Sequence, residues 1–367
     1  MVEIIPDITF KKQLKELSKA PLNECMQCGN CSVVCSLAPE DKPFPRKEMI
    51  WAGWGMKQNL MADTDVWLCH QCGDCSTYCP RCVRPADVLA AVRQLAYVHY
   101  AKPRFMGKML SKPALLPIAL LIPVVIISII LILAGTFSIP EGPVNYSHFF
   151  PHAWLNGSFT IITFLAYGLA FSGLRRFWND LKAANPETKP AKGFIPSLFN
   201  LGKQILTHTY FSSCETNKSR RWAHILVFYG FIFLLLVTAF AIYATITHEY
   251  PLTITNPFKI LGNVAAMMLI AGLVIMMINR FMNRDKAGIG NYSDWLFLIA
   301  MFSLTLSGVI VELARFQNWS IAYHLYFFHL VNVWFVIIYL PYTKFGHLLY
   351  RSIAMSFAGS IGRKINS

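Results

Sequence analysis

A chain of 367 residues in which 55% are hydrophobic and only 14% charged is too apolar for an ordinary soluble protein. Nine of its ten cysteines fall between Cys25 and Cys82, a distribution that excludes a secreted disulfide scaffold and points to metal. A net charge of +14 fits cytoplasmic loops and lipid headgroups rather than nucleic acid.

The chain opens with MVEIIPDITFKKQLKEL, which has no basic leader followed by an apolar core, so no signal peptide is expected. Residues 1–105 are then of mixed polarity and carry a repeated motif. Its first copy is CMQCGNCSVVC, with Cys25, Cys28, Cys31 and Cys35. The second is CHQCGDCSTYCP, with Cys69, Cys72, Cys75 and Cys79 followed by Pro80. Both have the C-x2-C-x2-C-x3-C spacing that wraps a [4Fe–4S] cluster, and the fourth cysteine of such a run ligates the other cluster. One cluster is therefore assigned to Cys25, Cys28, Cys31 and Cys79, and the other to Cys69, Cys72, Cys75 and Cys35. Gly29 and Gly73 let each loop turn. Zinc would want its ligands in two pairs, not three in one run. The first copy departs from the pattern in having Ser36 where the second has proline. Cys82 reads as packing, Cys214 has no assigned role, and Trp51, Trp54 and Trp67 read as packing around the clusters.

From about residue 113 to 367 long apolar runs alternate with short polar loops. Six spans are expected, at 115–135, 154–174, 224–246, 260–280, 293–313 and 324–346, each long enough for a bilayer core of about 30 Å. Loop 175–222 is rich in Lys and Arg. Arg280, Arg284 and Lys286, and then Arg351, Arg363 and Lys364 in the tail, mark the same side. The opposite loops carry only Lys259 and Arg315. Both termini and the cysteine region are thus expected in the cytoplasm, with the chain crossing the inner membrane repeatedly.

Ionisable residues inside membrane spans default to function. His224 opens the third span and His347 closes the sixth, both on the cytoplasmic side. They are placed at one depth on different helices, where bis-imidazole ligation of a b-type haem would explain both. His329 stands eighteen residues before His347, roughly 27 Å along one axis and on the same side of a continuous helix. Its partners for a second haem would be His152 or His248, with His148 and His324 weaker. Tyr323, Tyr326, Phe327 and Phe328 around it read as an interfacial belt. Glu249 and Glu312 are candidate proton acceptors for a quinone site.

The stretch HLVNVWFVIIYLPYTKFGH, from His329 to His347, resembles the last helix of nitrate reductase gamma-type cytochrome b subunits, and RRWAHILVFYGFIF resembles their second helix. The resemblance implies a haem held by His224 and His347. Where that family has a second histidine, this chain has Leu234. Residues 20–95 resemble the two-cluster subunit of heterodisulfide reductase. The fusion of the two looks most like the membrane subunits of quinone-interacting membrane-bound oxidoreductases of sulfate reducers. The membrane subunit of sulfite-reductase-associated complexes is the next most similar.

The expected fold is therefore an all-α membrane bundle behind an α-helical ferredoxin-like domain. The resemblance implies two [4Fe–4S] clusters, one or two haems b, menaquinone as substrate and cytoplasmic flavin and iron–sulfur partner subunits. It also implies adenylylsulfate reductase as an indirect partner, and no nucleic acid. The rival expectation is a haem-free membrane anchor that docks flavoproteins.

Overall fold

The fold is that of a computed structural model, which describes residues 5–39, 43–186, 194–208, 218–247, 252–282, 288 and 290–363. Among these residues the chain is helical and contains no strand. His248, Glu249 and Cys214 lie outside the described residues, as do Arg284, Lys286 and Lys364.

The cysteine region is built from short helices around the two motif loops. Asp7 Oδ1 accepts from the Phe10 N–H at 2.8 Å and so caps α1 (Ile8–Ser18), whose Phe10 and Leu14 are buried. Then come α2 (Asn30–Val33), α3 (Arg46–Trp54), α4 (Lys57–Met61), α5 (Asp65–Leu68) and α6 (Asp74–Thr77). The long α7 (Pro85–Tyr100) starts with proline at its first helical position and buries Val88, Leu89, Val92 and Tyr97 against the others. After it α8 (Arg104–Leu110) leads to the long apolar helices.

Six helical segments are long and apolar enough to cross a membrane: Pro113–Leu133, His152–Ala184, Ser219–Thr245, Pro257–Met282, Tyr292–Phe316 and Ala322–Tyr342. They correspond to α9 (Leu116–Leu133), α11 (His152–Ala184), α13 (Lys218–Thr247), α14 (Pro257–Met282), α15 (Tyr292–Phe316) and α16 (Ala322–Tyr339), with short α10 (Tyr146–Phe149) before α11. Asn291 and Asp294 form a reciprocal capping box at the start of α15.

Several expectations change. The helix that carries the second span does not end near 174: α11 runs on to Ala184, and its last turns bury Phe177 and Leu181 in the core of the cysteine region. The segment 175–222 is also not one loop, because α12 (Phe194–Thr207) lies within it. The signal was present in the sequence, with Phe194, Leu198, Leu201 and Ile205 at i, i+4, i+7 and i+11. Nor do His329 and His347 share a helix. Pro341 lies in the break, α16 stops at Tyr339, and two 3₁₀ turns, Leu340–Tyr342 and Lys344–Gly346, lead into a separate helix, α17 (His347–Ser360). His347 opens α17 rather than closing a span.

The cysteine region and the bundle share one core. Trp67, 2% exposed, stacks on Tyr350 of α17 at 5.3 Å and meets Tyr97 at 5.5 Å and Phe177 at 5.6 Å. Each such aromatic pair adds about 0.5–1.5 kcal/mol beyond burial. Trp67 thus ties the two parts together. Trp54 is 59% exposed and packs little, and Trp51 receives the Lys47 ammonium over its ring at 4.7 Å.

An ionic joint lies beside it. Lys47 Nζ reaches Glu48 at 3.1 Å, Asp65 at 3.5 Å and Asp63 at 3.6 Å, and Arg363 at the end of α17 binds Asp65 at 3.0 Å. Three carboxylates thus face two cations. Burial, then the neighbouring Asp63, raises the Glu48 pKa well above its ordinary value, so this joint retains a proton. A raised carboxyl pKa stabilises the fold in acid, and that contribution is lost as pH rises from the ordinary value, near 4.5, through the raised one. Glu48→Gln should therefore flatten the fall of Tm on the alkaline side, as thermal unfolding across pH 5–9 would show; an unaltered profile would place the proton elsewhere.

Helices α13 and α14 pack closely through glycines. A Cβ added at Gly272 would sit 2.8 Å from the Ala223 carbonyl oxygen and 2.8 Å from Val227 Cγ2. Backbone cannot yield cheaply, so Gly272→Ala should cost roughly 1–3 kcal/mol as overpacking. A fall in Tm of the detergent-solubilised protein would report it.

Candidate redox centres

The two cysteine loops repeat each other in backbone as in sequence. Gln27 and Gln71 take φ of 57° and 56°, and Gly29 and Gly73 take 86° and 90°. The left-handed turn at glycine starts α2 and α6 and folds each loop back on itself. Cys25, Cys28, Cys31 and Cys79 then line one small pocket, and Cys35, Cys69, Cys72 and Cys75 line another. The fourth cysteine of each motif thus stands with the three of the other. N–H groups point at sulfur from Gln27 Nε2 to Cys25 at 3.2 Å, from the Gln71 backbone to Cys69 at 3.3 Å and from the Val83 backbone to Cys79 at 3.4 Å. The glycines turn the loops, while the glutamines and Val83 supply these donors.

Burial, then the neighbouring thiols, pushes Cys31 up to about 11 and Cys75 higher still. Four sulfurs gathered this way do not carry bare thiolate charge well. A cationic iron cluster resolves that conflict, so the donor set fits [4Fe–4S] clusters. Cys82 is exposed at the loop edge.

Toward the membrane a cavity of about 250 Å³ opens between α7, α13, α14, α15 and α17. His224 and His347 both line it. His347 Nδ1 donates to the Lys344 carbonyl at 2.8 Å, and burial holds its imidazole neutral, at about 4. His224 Nδ1 meets His208 Nε2 at 3.1 Å. With Nδ1 engaged on both, Nε2 is the nitrogen that each would offer an iron, and such bonds to the remote nitrogen fix a ligating ring. Val98, Leu110, Val227, Met276, Phe297 and Leu298 supply apolar wall. Arg93, Arg220, Arg280, Lys344 and Arg351 face it against a single carboxylate, Asp294, which binds Arg280 at 3.0 Å and Lys344 at 2.6 Å. Two imidazoles, an apolar slot and excess cations for carboxylates fit a b-type haem.

The cavity and the second cysteine pocket share a wall: Cys69, His70 and Gln71 line both.

His329 and His152 are not among the residues that line this cavity. His329 Nδ1 meets Ser307 Oγ at 2.9 Å, and Ser307 in turn donates to the Leu304 carbonyl, so His329 faces α15. His152 opens α11, and one turn further Asn156 donates to Thr245 of α13 at 2.9 Å. His148 and His324 are exposed. Tyr326 stacks on Tyr146 at 4.3 Å, and Tyr323 Oη accepts from the Asn145 N–H at 3.1 Å, so these aromatics hold the connection before α11. Leu234 packs against the cluster of Val227, Leu269 and Leu273. Glu312 is taken up by Lys259 at 3.0 Å.

Sequence reasoning passed over His208, His70 and the arginines. His208 is 4% exposed and meets His224 at the end of α12, which packs against α17. The arginines read as loop charge, yet Arg351 donates to the Leu68 carbonyl at 3.4 Å and Arg220 to the Gln71 carbonyl at 2.7 Å.

Residues 21–83 match a 4Fe-4S dicluster domain. Over 89 residues the chain is 38% identical to a protein of Archaeoglobus profundus described as like the C subunit of heterodisulfide reductase, covering 24% of this chain and 47% of that protein. Over 101 residues it is 31% identical to the C subunit of the H(2):CoB-CoM heterodisulfide,ferredoxin reductase of Methanothermobacter marburgensis, covering 28% and 52%. The chain thus spans about half the length of these relatives. It is 25% identical to Citrate utilization protein B of Escherichia coli over 355 residues, 90% of this chain and 88% of that one. The cysteine region is accordingly an iron–sulfur domain of the electron-transfer kind. Because residues 107–362, more than half of the chain, match the family described as Citrate utilization protein B, the chain belongs to that family.

Proposed function

We propose that this chain is a membrane electron conduit between menaquinone and cytoplasmic flavin and iron–sulfur subunits. His224 and His347 would hold a b-type haem, and the two cysteine quartets would each hold a [4Fe–4S] cluster; these groups supply the one-electron chemistry that no side chain here offers. The observation that carries the proposal is the shared wall. Cys69–Gln71 separates the imidazole-lined cavity from the second quartet, so the two centres sit within one packed stretch of protein.

In this arrangement residues 1–105 form the cytoplasmic cluster domain and 113–367 the transmembrane cytochrome domain, related to gamma-type cytochrome b, with both termini in the cytoplasm. The Lys and Arg asymmetry of the loops supports that orientation. Arg280 and Lys344 would face the haem carboxylates, and Phe297 and Leu298 give the slot apolar wall. A second, outer haem would rest on His329 with His152 or His248. Electron flow in a sulfate-reducing complex, toward adenylylsulfate reductase, is the narrower setting supported by the likeness of residues 20–95 to heterodisulfide reductase subunits. The match to Citrate utilization protein B runs over 90% of the chain and favours a setting in organic-acid metabolism.

The test is anaerobic addition of a menaquinol analogue to the purified holoprotein. A b-type absorption band and cluster EPR signals should develop together. Clusters that stay oxidised, in a protein without a haem band, would make the chain a haem-free anchor that docks flavoproteins.

A further inference from the structure

The two cysteine loops have nearly the same sequence and backbone but different surroundings. In the first, Met26 is 63% exposed and Cys28 is exposed. Its cationic neighbours are Arg46, which is exposed, and Arg81, whose side chain is 54% exposed and faces Glu24 at 3.9 Å. Water and counter-ions screen such charges.

The second loop is gripped by arginines from elsewhere in the fold. Arg220 of α13 donates to the Gln71 carbonyl at 2.7 Å. Arg351 of α17 donates to the carbonyls of Leu68 at 3.4 Å and Cys69 at 3.5 Å and touches His70 Nδ1 at 3.1 Å. Arg93 of α7 donates to the Val66 carbonyl at 2.7 Å and to Gln71 Oε1. All three are half-buried. His70 beside them is buried, 8% exposed. The acidic group lining the pocket is Asp74, and nearby Asp87 is occupied by Arg84 at 2.5 Å.

We propose that Arg93, Arg220 and Arg351 set the cluster of Cys69, Cys72, Cys75 and Cys35 at the higher reduction potential of the two, making it the electron-holding site beside the haem cavity. This deepens the conduit function proposed above and rests on its cluster assignment. One-electron reduction adds a negative charge to a thiolate-bound cube. Fixed positive charges nearby stabilise the reduced form and raise the potential. Burial of the second pocket opposes this by withdrawing water from the added charge. Three guanidinium charges against one carboxylate, in a setting where water screens them little, outweigh that loss. The bundle thereby does more than anchor the cluster domain: α13 and α17 reach into its second loop and tune it.

The test is an EPR-monitored redox titration of the holoprotein with dithionite as reductant. Cys72→Ser should remove the signal with the higher midpoint. Arg220→Gln should move that same midpoint to lower potential and leave the other signal in place, whereas Arg220→Lys, which keeps the charge, should move it less. Should Arg220→Gln not retain iron, Arg351→Gln provides the same comparison. The proposal is overturned when both signals are present and the arginine variants leave the midpoints unmoved, or when Cys72→Ser removes the lower-potential signal. Absence of iron and EPR signals from the wild-type protein would instead remove the cluster assignment itself.

Discussion

His347→Ala should purify with one haem b fewer per polypeptide and with its iron–sulfur content intact. The imidazole is on the first residue of α17, and its loss takes away the proposed ligand without disturbing the aromatic joint formed by Tyr350 one turn later. Quinol-driven reduction of the clusters should fall by more than about 100-fold, the upper end of what even an outer-shell partner of a ligand is worth. Chemical reduction of the clusters by dithionite should be unchanged, which separates a broken path from a broken fold. An unchanged haem spectrum in this variant would remove His347 from the site.

The cysteine quartets make an equally large prediction with a different signature. Cys28→Ser should abolish or convert one cluster and Cys79→Ser the same one, although Cys79 belongs to the other motif. Cys35→Ser and Cys72→Ser should pair in the same way. The proposed ligation predicts this crossed pattern, with Cys79 lining one pocket with Cys25, Cys28 and Cys31, and Cys35 lining the other with Cys69, Cys72 and Cys75. EPR of the four variants reads it directly. If Cys28→Ser and Cys35→Ser damage one and the same cluster, each motif closes on itself and the crossed ligation is wrong. In none of the four should haem be lost.

Much of this arrangement was legible in the sequence because the governing constraints are local or compositional. A run of three cysteines at fixed spacing folds one loop, with Gly29 and Gly73 adopting the positive φ that the turn requires. Six apolar runs announce themselves by length alone. Loop charge gives His224 and His347 one expected depth, and both line the one cavity. The failures arose where tertiary packing overrides a local rule. Pro341 breaks what reads as one continuous apolar helix, so the eighteen-residue spacing of His329 and His347 does not measure a distance along an axis. The polar residues after Leu174 read as a loop, yet α11 continues because Phe177 and Leu181 have a core to enter. Helix α12 was hidden by the basic residues around it, although its apolar spacing is helical. The arginines over Gln71 and Cys69 have no sequence signature, since a loop cation that faces solvent and one that caps a buried carbonyl look alike until the chain is folded.

The proposed path stands or falls on a porphyrin iron between α13 and α17. The most direct measurement is a pyridine haemochrome assay combined with non-haem iron analysis on the protein purified from membranes. At least one haem b and about eight non-haem irons per polypeptide are expected, the latter from two four-iron clusters. Eight irons with no haem would contradict the conduit and leave an iron–sulfur domain tethered to a bundle that carries no electrons.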